Sequence, residues 1–302
     1  MKLGNVSKFV LAMTVAAPVA LAASQASAIV VTQETNATNL INALLAGSPG
    51  LTVTSATLSG HVDGAAASSG TYTNASGTYG IGSGIILSSG NVSDYGDGTN
   101  TASGNTTNFG GPNASPATAG QEALLDTITG GSFNHFDVTQ LDITFDVGVN
   151  VSQIFFNVVF GSEEYAEFVG TQFIDAFGIY LNGTNIATFA GDPVNINHPN
   201  MEFIGGTELD GILDPTSLTG DPIMLFQGLV AAGSTGNTLT FIIADSGDSQ
   251  LDSTVYIQGL GTENPGGGTP GGGDSIPEPG TMTVFGLGLL GLGWARRRRK
   301  TA

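Results

Sequence analysis

Two short acidic segments carry most of the chemistry that this sequence can offer. The segment GSEEYAEFVGTQFIDAFG (161–178) contains Glu163, Glu164, Glu167 and Asp175, and DSGDSQLD (245–252) contains Asp245, Asp248 and Asp252. Two carboxylates about 4 Å apart repel each other by roughly 4 kcal/mol at an effective dielectric constant of about 20. Folding such segments together therefore requires water, protonation or a bound cation to relieve the repulsion.

The sequence supplies no fixed positive charge to these carboxylates. All seven Lys and Arg residues lie close to a terminus, and none occurs between Ile29 and Trp294. That span holds all 25 acidic residues, and its only other titratable nitrogens are those of His61, His135 and His198. The net charge of −18 thus reflects missing cations rather than surplus anions, and it excludes nucleic acid as a partner.

Calcium is the cation that suits these segments best. Ca²⁺ takes about six to eight oxygen ligands from carboxylates, amides and backbone carbonyls, and both segments adjoin loops rich in such groups. We expect the two segments to share a site if the strands beside them are central in the fold. A third acidic pair is Asp94 and Asp97, and none of these segments has EF-hand spacing. The alternative left open is that the carboxylates are solvated at the surface.

The sequence offers little for catalysis, and we expect no catalytic residue. It contains no cysteine, no lysine between the termini, no G-x-S-x-G elbow and no H-E-x-x-H or paired-His motif, so zinc is not expected either. The enzymatic alternative is glycoside hydrolysis with Glu163 and Glu167 as acid and base. Its weakness is that the single Trp lies at position 294, whereas a glycosidase cleft is usually lined with aromatic side chains.

The segments that must position these residues are mostly strands. LTVTSATLS (51–59) and LDITFDV (141–147) alternate between apolar and polar residues, as half-buried strands do. Continuous β-branched and aromatic runs predict more deeply buried strands, and LNGTN (181–185) predicts a tight hairpin turn. The buried runs are IFFNVVF (154–160), FGIYL (177–181), LTFIIAD (239–245) and TVYIQGL (254–260).

Helices are few in the predicted fold. Residues 36–46 have a helical apolar pattern that begins after Thr35 or Asn36 and ends at Gly47, and 120–128 predicts a second short helix. Residues 60–118, rich in Gly, Ser, Thr and Asn, are expected to form surface loops around one strand, GIILS (84–88). The predicted fold is mainly β, a jelly-roll-like β-sandwich with one or two short helices.

Both ends of the sequence look like export signals. Residues 1–28 combine a Lys-containing start, an apolar run and small residues at Ala26 and Ala28, which predicts a signal peptide cleaved by signal peptidase. GTENPGGGTPGGGDS (261–275) predicts a flexible linker. The tail 276–302 then holds a short apolar segment, 281–295, before an arginine cluster. As a helix this segment would reach about 22 Å, a marginal transmembrane span against a hydrocarbon core of about 30 Å.

The tail resembles a PEP-CTERM sorting signal, which an exosortase recognises and cuts. The resemblance rests on the order of a Pro-Glu-Pro motif, an apolar segment and an arginine cluster. It implies a Gram-negative bacterium, transient anchoring in the inner membrane, and delivery to the cell surface or to an exopolysaccharide or biofilm matrix. The matching residues are Pro277, Glu278, Pro279, Arg296, Arg297, Arg298 and Arg299.

The region 29–260 resembles the choice-of-anchor L domain of bacterial surface proteins. The segments that carry this resemblance are 80–92, 160–183, 185–200 and 241–260. The resemblance implies a surface β domain, and it brings no established activity. We therefore expect an exported structural or adhesive protein, which could bind exopolysaccharide or other surface proteins. The alternative is a glycan-binding module or glycan hydrolase of the same fold class.

Export should leave a mature chain that starts near Ile29 and ends near the Pro-Glu-Pro motif. Such a chain contains no Lys or Arg, so trypsin should leave it intact even after denaturation. Intact-mass measurement of the exported protein, before and after trypsin, checks both statements. A product that retains Arg296–Arg299, or a denatured chain that trypsin cleaves, would contradict the predicted boundaries.

Overall fold

The computed structural model describes residues 29–270 except 46–47, 97–103, 132, 206, 218–219 and 267. Within these residues the protein is mainly β, with helices α1 (Ala37–Leu44) and α2 (Ala119–Thr129). The signal-cleavage residues Ala26 and Ala28 and the tail 276–302 lie outside the described part. The strands in chain order are β1 (Val30–Gln33), β2 (Leu51–Ser59), β3 (Val62–Asp63), β4 (Ala66–Ala67), β5 (Ser69–Thr73), β6 (Gly84–Ser88), β7 (His135–Val147), β8 (Gln153–Ser162), β9 (Ala176–Leu181), β10 (Thr184–Asn185), β11 (Thr188–Phe189), β12 (Asp192–Pro193), β13 (Met201–Phe203), β14 (Gly211–Leu213), β15 (Met224–Leu229), β16 (Asn237–Ser246), β17 (Ser253–Gly261) and β18 (Thr269–Pro270).

Two sheets form the sandwich, as the sequence predicts. The nine-stranded sheet has the order β1-β5-β6-β17-β8-β14-β13, with β15 also paired to β8 and β18 to β15. The five-stranded sheet has the order β10-β9-β16-β7-β2. Strands β8 and β17 are central in the first sheet, and β16 is central in the second. All pairs are antiparallel except the short β15–β18 pair.

The main hydrophobic core lies between the two sheets. Phe156 of β8 and Phe241 of β16 meet edge to face across it, with ring centroids 5.5 Å apart. On β7, Leu141, Ile143 and Phe145 face this core, as the alternation of LDITFDV predicts. Burial of these aromatic and branched side chains is the main favourable contribution to folding in a protein without disulfides.

Local signals in the sequence explain most element ends. The side chain of Asn36 accepts hydrogen bonds from the backbone N–H groups of Thr38 and Asn39 and caps α1. The helix ends at Leu44 with Leu45 as its C-cap, earlier than predicted, and Gly47 lies outside the described residues. The second predicted helix is α2, which begins after a capping box formed by Thr118 and Gln121. The Asn182–Gly183 turn joins β9 to β10 with both residues at positive φ, as predicted.

Two expectations about irregular segments were wrong in part. Residues 60–118 include strands β3, β4 and β5 besides β6, and they build a second hydrophobic cluster in which Tyr95 packs near Tyr256. The expected linker, 261–275, begins within β17 and later contributes β18, which pairs with β15. Asn157 also donates a hydrogen bond of 3.0 Å to the carbonyl of Gly266. The sequence did not predict the contacts of residues 261–270, because this segment is held through its backbone groups and not through apolar side chains.

Among the described residues, no helix is long and apolar enough to cross a membrane. The apolar segment 281–295, for which the sequence predicts a short transmembrane span, lies outside the described residues.

The packing of β6 against β17 gives a test of the sandwich. A Cβ added to Gly84 would lie 2.0 Å from the backbone carbonyl oxygen of Ile257. Unlike a side chain, this carbonyl cannot turn away, because it belongs to the neighbouring strand β17. Gly84→Ala should therefore cost about 1–3 kcal/mol and lower the melting temperature by several degrees. Gly120→Ala in α2 is the matched control, because nothing lies within 4 Å of its added Cβ. Equal thermal melting of both variants and the parent protein would contradict this packing.

Candidate metal centre

The two acidic segments are the connections by which the chain crosses between the sheets. Residues 163–175 lead from β8 in the nine-stranded sheet to β9 in the five-stranded sheet. Residues 247–252 lead back, from β16 to β17. Both crossings occur at the same end of the sandwich because β8 pairs antiparallel with β17, and β9 with β16.

Each sheet places two carboxylate residues side by side at this end. Ser162 is the register partner of Ser253, and the N–H of Glu163 donates to the carbonyl of Asp252 at 3.1 Å. In the other sheet Ala176 is the partner of Ala244, which sets Asp175 beside Asp245. One hydrogen bond then joins the sheets, from the Ser253 hydroxyl to Asp175 Oδ2 at 2.8 Å.

A sixth carboxylate, which sequence reasoning missed, belongs to Asp137 of β7. Between Phe136 and Thr139, β7 has one residue more than the facing part of β16, and Asp137 in this bulge has φ of +48°. Its charge raises the pKa of both Asp245 and Asp252, so its carboxylate lies near the other acids. In the sequence Asp137 occupies an ordinary strand position with no sign of a special role. Only the left-handed backbone conformation seen in the structure distinguishes it.

Six carboxylates thus form a buried group, named here the acidic cluster. Each of these residues is at most 2% exposed, although charged residues are almost never fully buried without a partner. The hydrogen bonds that reach them come from hydroxyl groups and backbone N–H groups, since no Lys or Arg exists between Ile29 and Trp294. The members are Asp137, Glu163, Glu164, Asp175, Asp245 and Asp252.

Asp137 and Asp245 are the least satisfied members of the acidic cluster, because both carboxylate oxygens of each are buried without a hydrogen-bond partner. Asp245 lies beside Asp175, at the end of the five-stranded sheet where the chain crosses to the other sheet. The Ser89 hydroxyl is the one neighbour that favours its ionised form, but this hydroxyl points to the carbonyl of Ser253 at 3.3 Å. One oxygen each of Glu163, Glu164 and Asp252 is likewise buried without a partner. A set of unpartnered buried oxygens is a costly arrangement unless something binds them.

Burial raises the pKa of every member of the cluster. It raises the pKa of Glu163 to about 8, with the charges of Asp210 and Glu208 adding to the effect. It raises the pKa of Asp137 to about 7, and those of Asp245 and Asp252 well above their usual range. Glu164 and Asp175 shift in the same direction for the same cause. Without a cation, protonation is therefore the way in which these groups avoid buried charge.

A loop from the Gly- and Asn-rich region covers the cluster. The N–H of Thr107 donates to Asp252 Oδ1 at 3.1 Å, and the carbonyl of Asn105 accepts from the N–H of Asp252 at 2.9 Å. On the other side Gly90 leaves room for Asp252, since a Cβ there would lie 1.6 Å from Asp252 Oδ2. Sequence reasoning missed these residues because small and amide residues are common in surface loops.

Not every predicted ligand joins the cluster. Glu167 is exposed, and Asp248 is half-buried at its rim, where its charge raises the pKa of Glu164. Asp94 accepts a hydrogen bond from Asn91 at 3.1 Å, and its predicted companion Asp97 lies outside the described residues. The structure thus brings together five of the seven predicted ligands and adds Asp137.

The carboxylate oxygens of the cluster do not form a closed ligand shell. Among the described residues, one group has three His, Asp or Glu ligand atoms within 4.8 Å of one another, and it consists of Glu122, Asp126 and His135. An ion in the acidic cluster would therefore draw its carboxylates closer together or add hydroxyl, amide and carbonyl oxygens as ligands.

Comparison with known proteins assigns both parts of the chain. The family model of the Choice-of-anchor L domain matches residues 29–262, and the model of the PEP-CTERM protein-sorting motif matches residues 275–299. The sorting motif implies recognition by an exosortase and export to the cell surface. No curated protein and no solved structure matches the chain.

The raised pKa values predict how the chelated protein responds to pH. Between the ordinary carboxyl pKa of 4.5 and about 8, the native state holds protons on groups such as Glu163 that the unfolded state has lost. Stability must then fall as pH rises, so the melting temperature in excess chelator should decrease from about pH 5 to about pH 8. Asp245→Asn should flatten this slope by removing one titrating group. A melting temperature that is constant or rises over this range would contradict a protonated cluster.

Proposed function

Because the chain belongs to the Choice-of-anchor L domain family and carries a PEP-CTERM sorting motif, we propose that it is a non-catalytic structural or adhesive protein of the cell surface or extracellular matrix, with a β domain stabilised by calcium. The exosortase and signal peptidase are its partners during export. In this proposal the host is a Gram-negative bacterium, and the protein is anchored briefly in the inner membrane before release to the surface or to an exopolysaccharide matrix.

The acidic cluster is the observation that carries the calcium part of the proposal. Asp245, with two unpartnered and buried oxygens, lies where two sheets and two crossovers meet. A divalent ion there would replace repulsion among carboxylates with attraction to all of them. Extracellular calcium modules bind with dissociation constants of about 10⁻⁴ to 10⁻³ M, so a surface protein does not need a tightly closed site.

Protonation is the competing explanation of the same burial. Asp175 and Asp245 are neighbours on paired strands, and a proton shared between them would remove one charge from the cluster. This arrangement relieves the repulsion only where protons are abundant, and it loses its effect as pH rises. Calcium binds the ionised form instead, so the two explanations differ in their dependence on pH.

The burial of Glu163 supports a non-catalytic role. A glycosidase needs both of its carboxyl groups beside the scissile bond, but Glu163 is 1% exposed while Glu167 is exposed. A glycan-binding module remains the second candidate, because its ligand would not need to reach Glu163. Retention on a polysaccharide column without release of product would distinguish it, and so would unchanged retention of Glu163→Gln.

Thermal melting of the exported protein tests the calcium proposal. At a hundredfold excess over the dissociation constant, a ligand of the native state adds about 2.7 kcal/mol, which is a shift of about 5–10 °C for a domain of this size. We expect this shift in Ca²⁺, and a smaller one in Mg²⁺, which demands octahedral geometry and dehydrates reluctantly. Glu164→Gln and Asp248→Asn should reduce the shift.

Asp146→Asn is the control for Asp248→Asn. Both aspartates are half-buried and accept one backbone N–H, but Asp146 lies at the far end of β7 from the cluster. Its substitution should leave the calcium shift unchanged. If the melts in Ca²⁺, Mg²⁺ and chelator coincide at every pH from about 5 to about 9, a range that reaches the raised pKa values of Glu163 (about 8) and Glu164 (about 9), the calcium proposal is wrong.

A further inference from the structure

A second group of metal-ligand atoms lies between helix α2 and the start of β7. Glu122 and Asp126 are four residues apart in α2, so their side chains extend from the same face of the helix. His135 opens β7, and the short connection after α2 brings it to this face. One ligand atom from each of the three residues lies within 4.8 Å of the other two.

The hydrogen bonds of this group satisfy only part of it. The carboxylate of Glu122 contacts His135 twice, accepting the backbone N–H at 3.1 Å and meeting ring Nδ1 at 2.6 Å. Asp126 Oδ1 and His135 Nε2 are buried and have no partner, and the side chain of His135 is 0% exposed. A simple Glu–His ion pair would account for the contact of Nδ1 but not for the buried, unpartnered oxygen beside it.

The donor set differs in kind from that of the acidic cluster. An imidazole nitrogen with two carboxylates suits first-row transition ions, whereas Ca²⁺ prefers oxygen ligands alone. Three protein ligands leave further positions of such an ion open to water, and the half-buried Glu122 and Asp126 give it a route from solvent. We propose that Glu122, Asp126 and His135 form a second metal site, which binds Zn²⁺ or a similar divalent transition ion.

Binding at this site would rearrange the contact between Glu122 and His135. A histidine coordinates through the lone pair of one ring nitrogen, so an ion bound at Nδ1 would take the place of the direct contact between Nδ1 and Glu122. The site would tie α2 to the start of β7, the strand that also carries Asp137. It is independent of the calcium proposal because it shares no ligand with the acidic cluster.

Titration of the exported protein with Zn²⁺ in saturating Ca²⁺ tests the site. We expect one Zn²⁺ per chain and a higher melting temperature. Asp126→Asn keeps the size of a half-buried side chain and should weaken Zn²⁺ binding by about tenfold or more. His135→Gln should abolish binding, while the Ca²⁺ shift of the Asp126→Asn variant stays as in the parent protein.

Two controls make the result decisive. Asp146→Asn and His61→Gln remove a half-buried carboxylate and a half-buried imidazole outside the proposed site, and neither should change Zn²⁺ affinity. Failure of the parent protein to bind Zn²⁺ would overturn the proposal. So would equal affinity of Asp126→Asn and the parent, or loss of binding in His61→Gln, since the bound ion would then lie elsewhere.

Discussion

Buried acid without buried base is the constraint that shapes this domain. Between Ile29 and Trp294 there is no Lys or Arg, yet the chain crosses from sheet to sheet through segments that carry carboxylates. Burying a carboxylate away from water costs desolvation free energy unless the group is protonated, paired with a counter-ion or strongly hydrogen-bonded. The hydroxyl of Ser253 and the backbone amide of Ser246 give Asp175 part of this support, whereas Asp245 receives almost none.

The position of the cluster makes its state of charge a property of the whole fold. β8, β16 and β17 are central strands, and each ends or begins at the cluster. The covering loop is attached to Asp252 itself through Asn105 and Thr107, and the hydroxyl oxygen of Thr106 accepts the N–H of the adjacent Leu251 at 2.9 Å. Whatever neutralises the carboxylates therefore also holds the two sheets and the loop together. β7 begins at His135, two residues before Asp137, and the imidazole of His135 is a nitrogen ligand near this end of the strand.

The sequence predicts what depends on neighbours along the chain. The alternation of β7, the Asn36 cap and the Asn182–Gly183 turn are local signals, and each was confirmed. The meeting of Asp175 with Asp245 followed from placing both beside central strands. Asp137 could not be found in this way, because its position depends on a bulge relative to β16. Nor could the group at His135, since its ligands belong to a helix and a strand with no shared spacing motif.

The attachment of the C-terminal segment determines how the domain would carry mechanical load. Tension applied beyond residue 270 first meets β18, a two-residue strand at the sheet edge that pairs only with β15. The load then passes to β17, which lies between β6 and β8 and would be pulled along its own axis. Ladder hydrogen bonds on both sides of β17 must then shear together, so the rate of forced unfolding is governed by a barrier at the centre of the sheet. The short edge strand β18 should therefore detach at a lower force than the one that unfolds the domain.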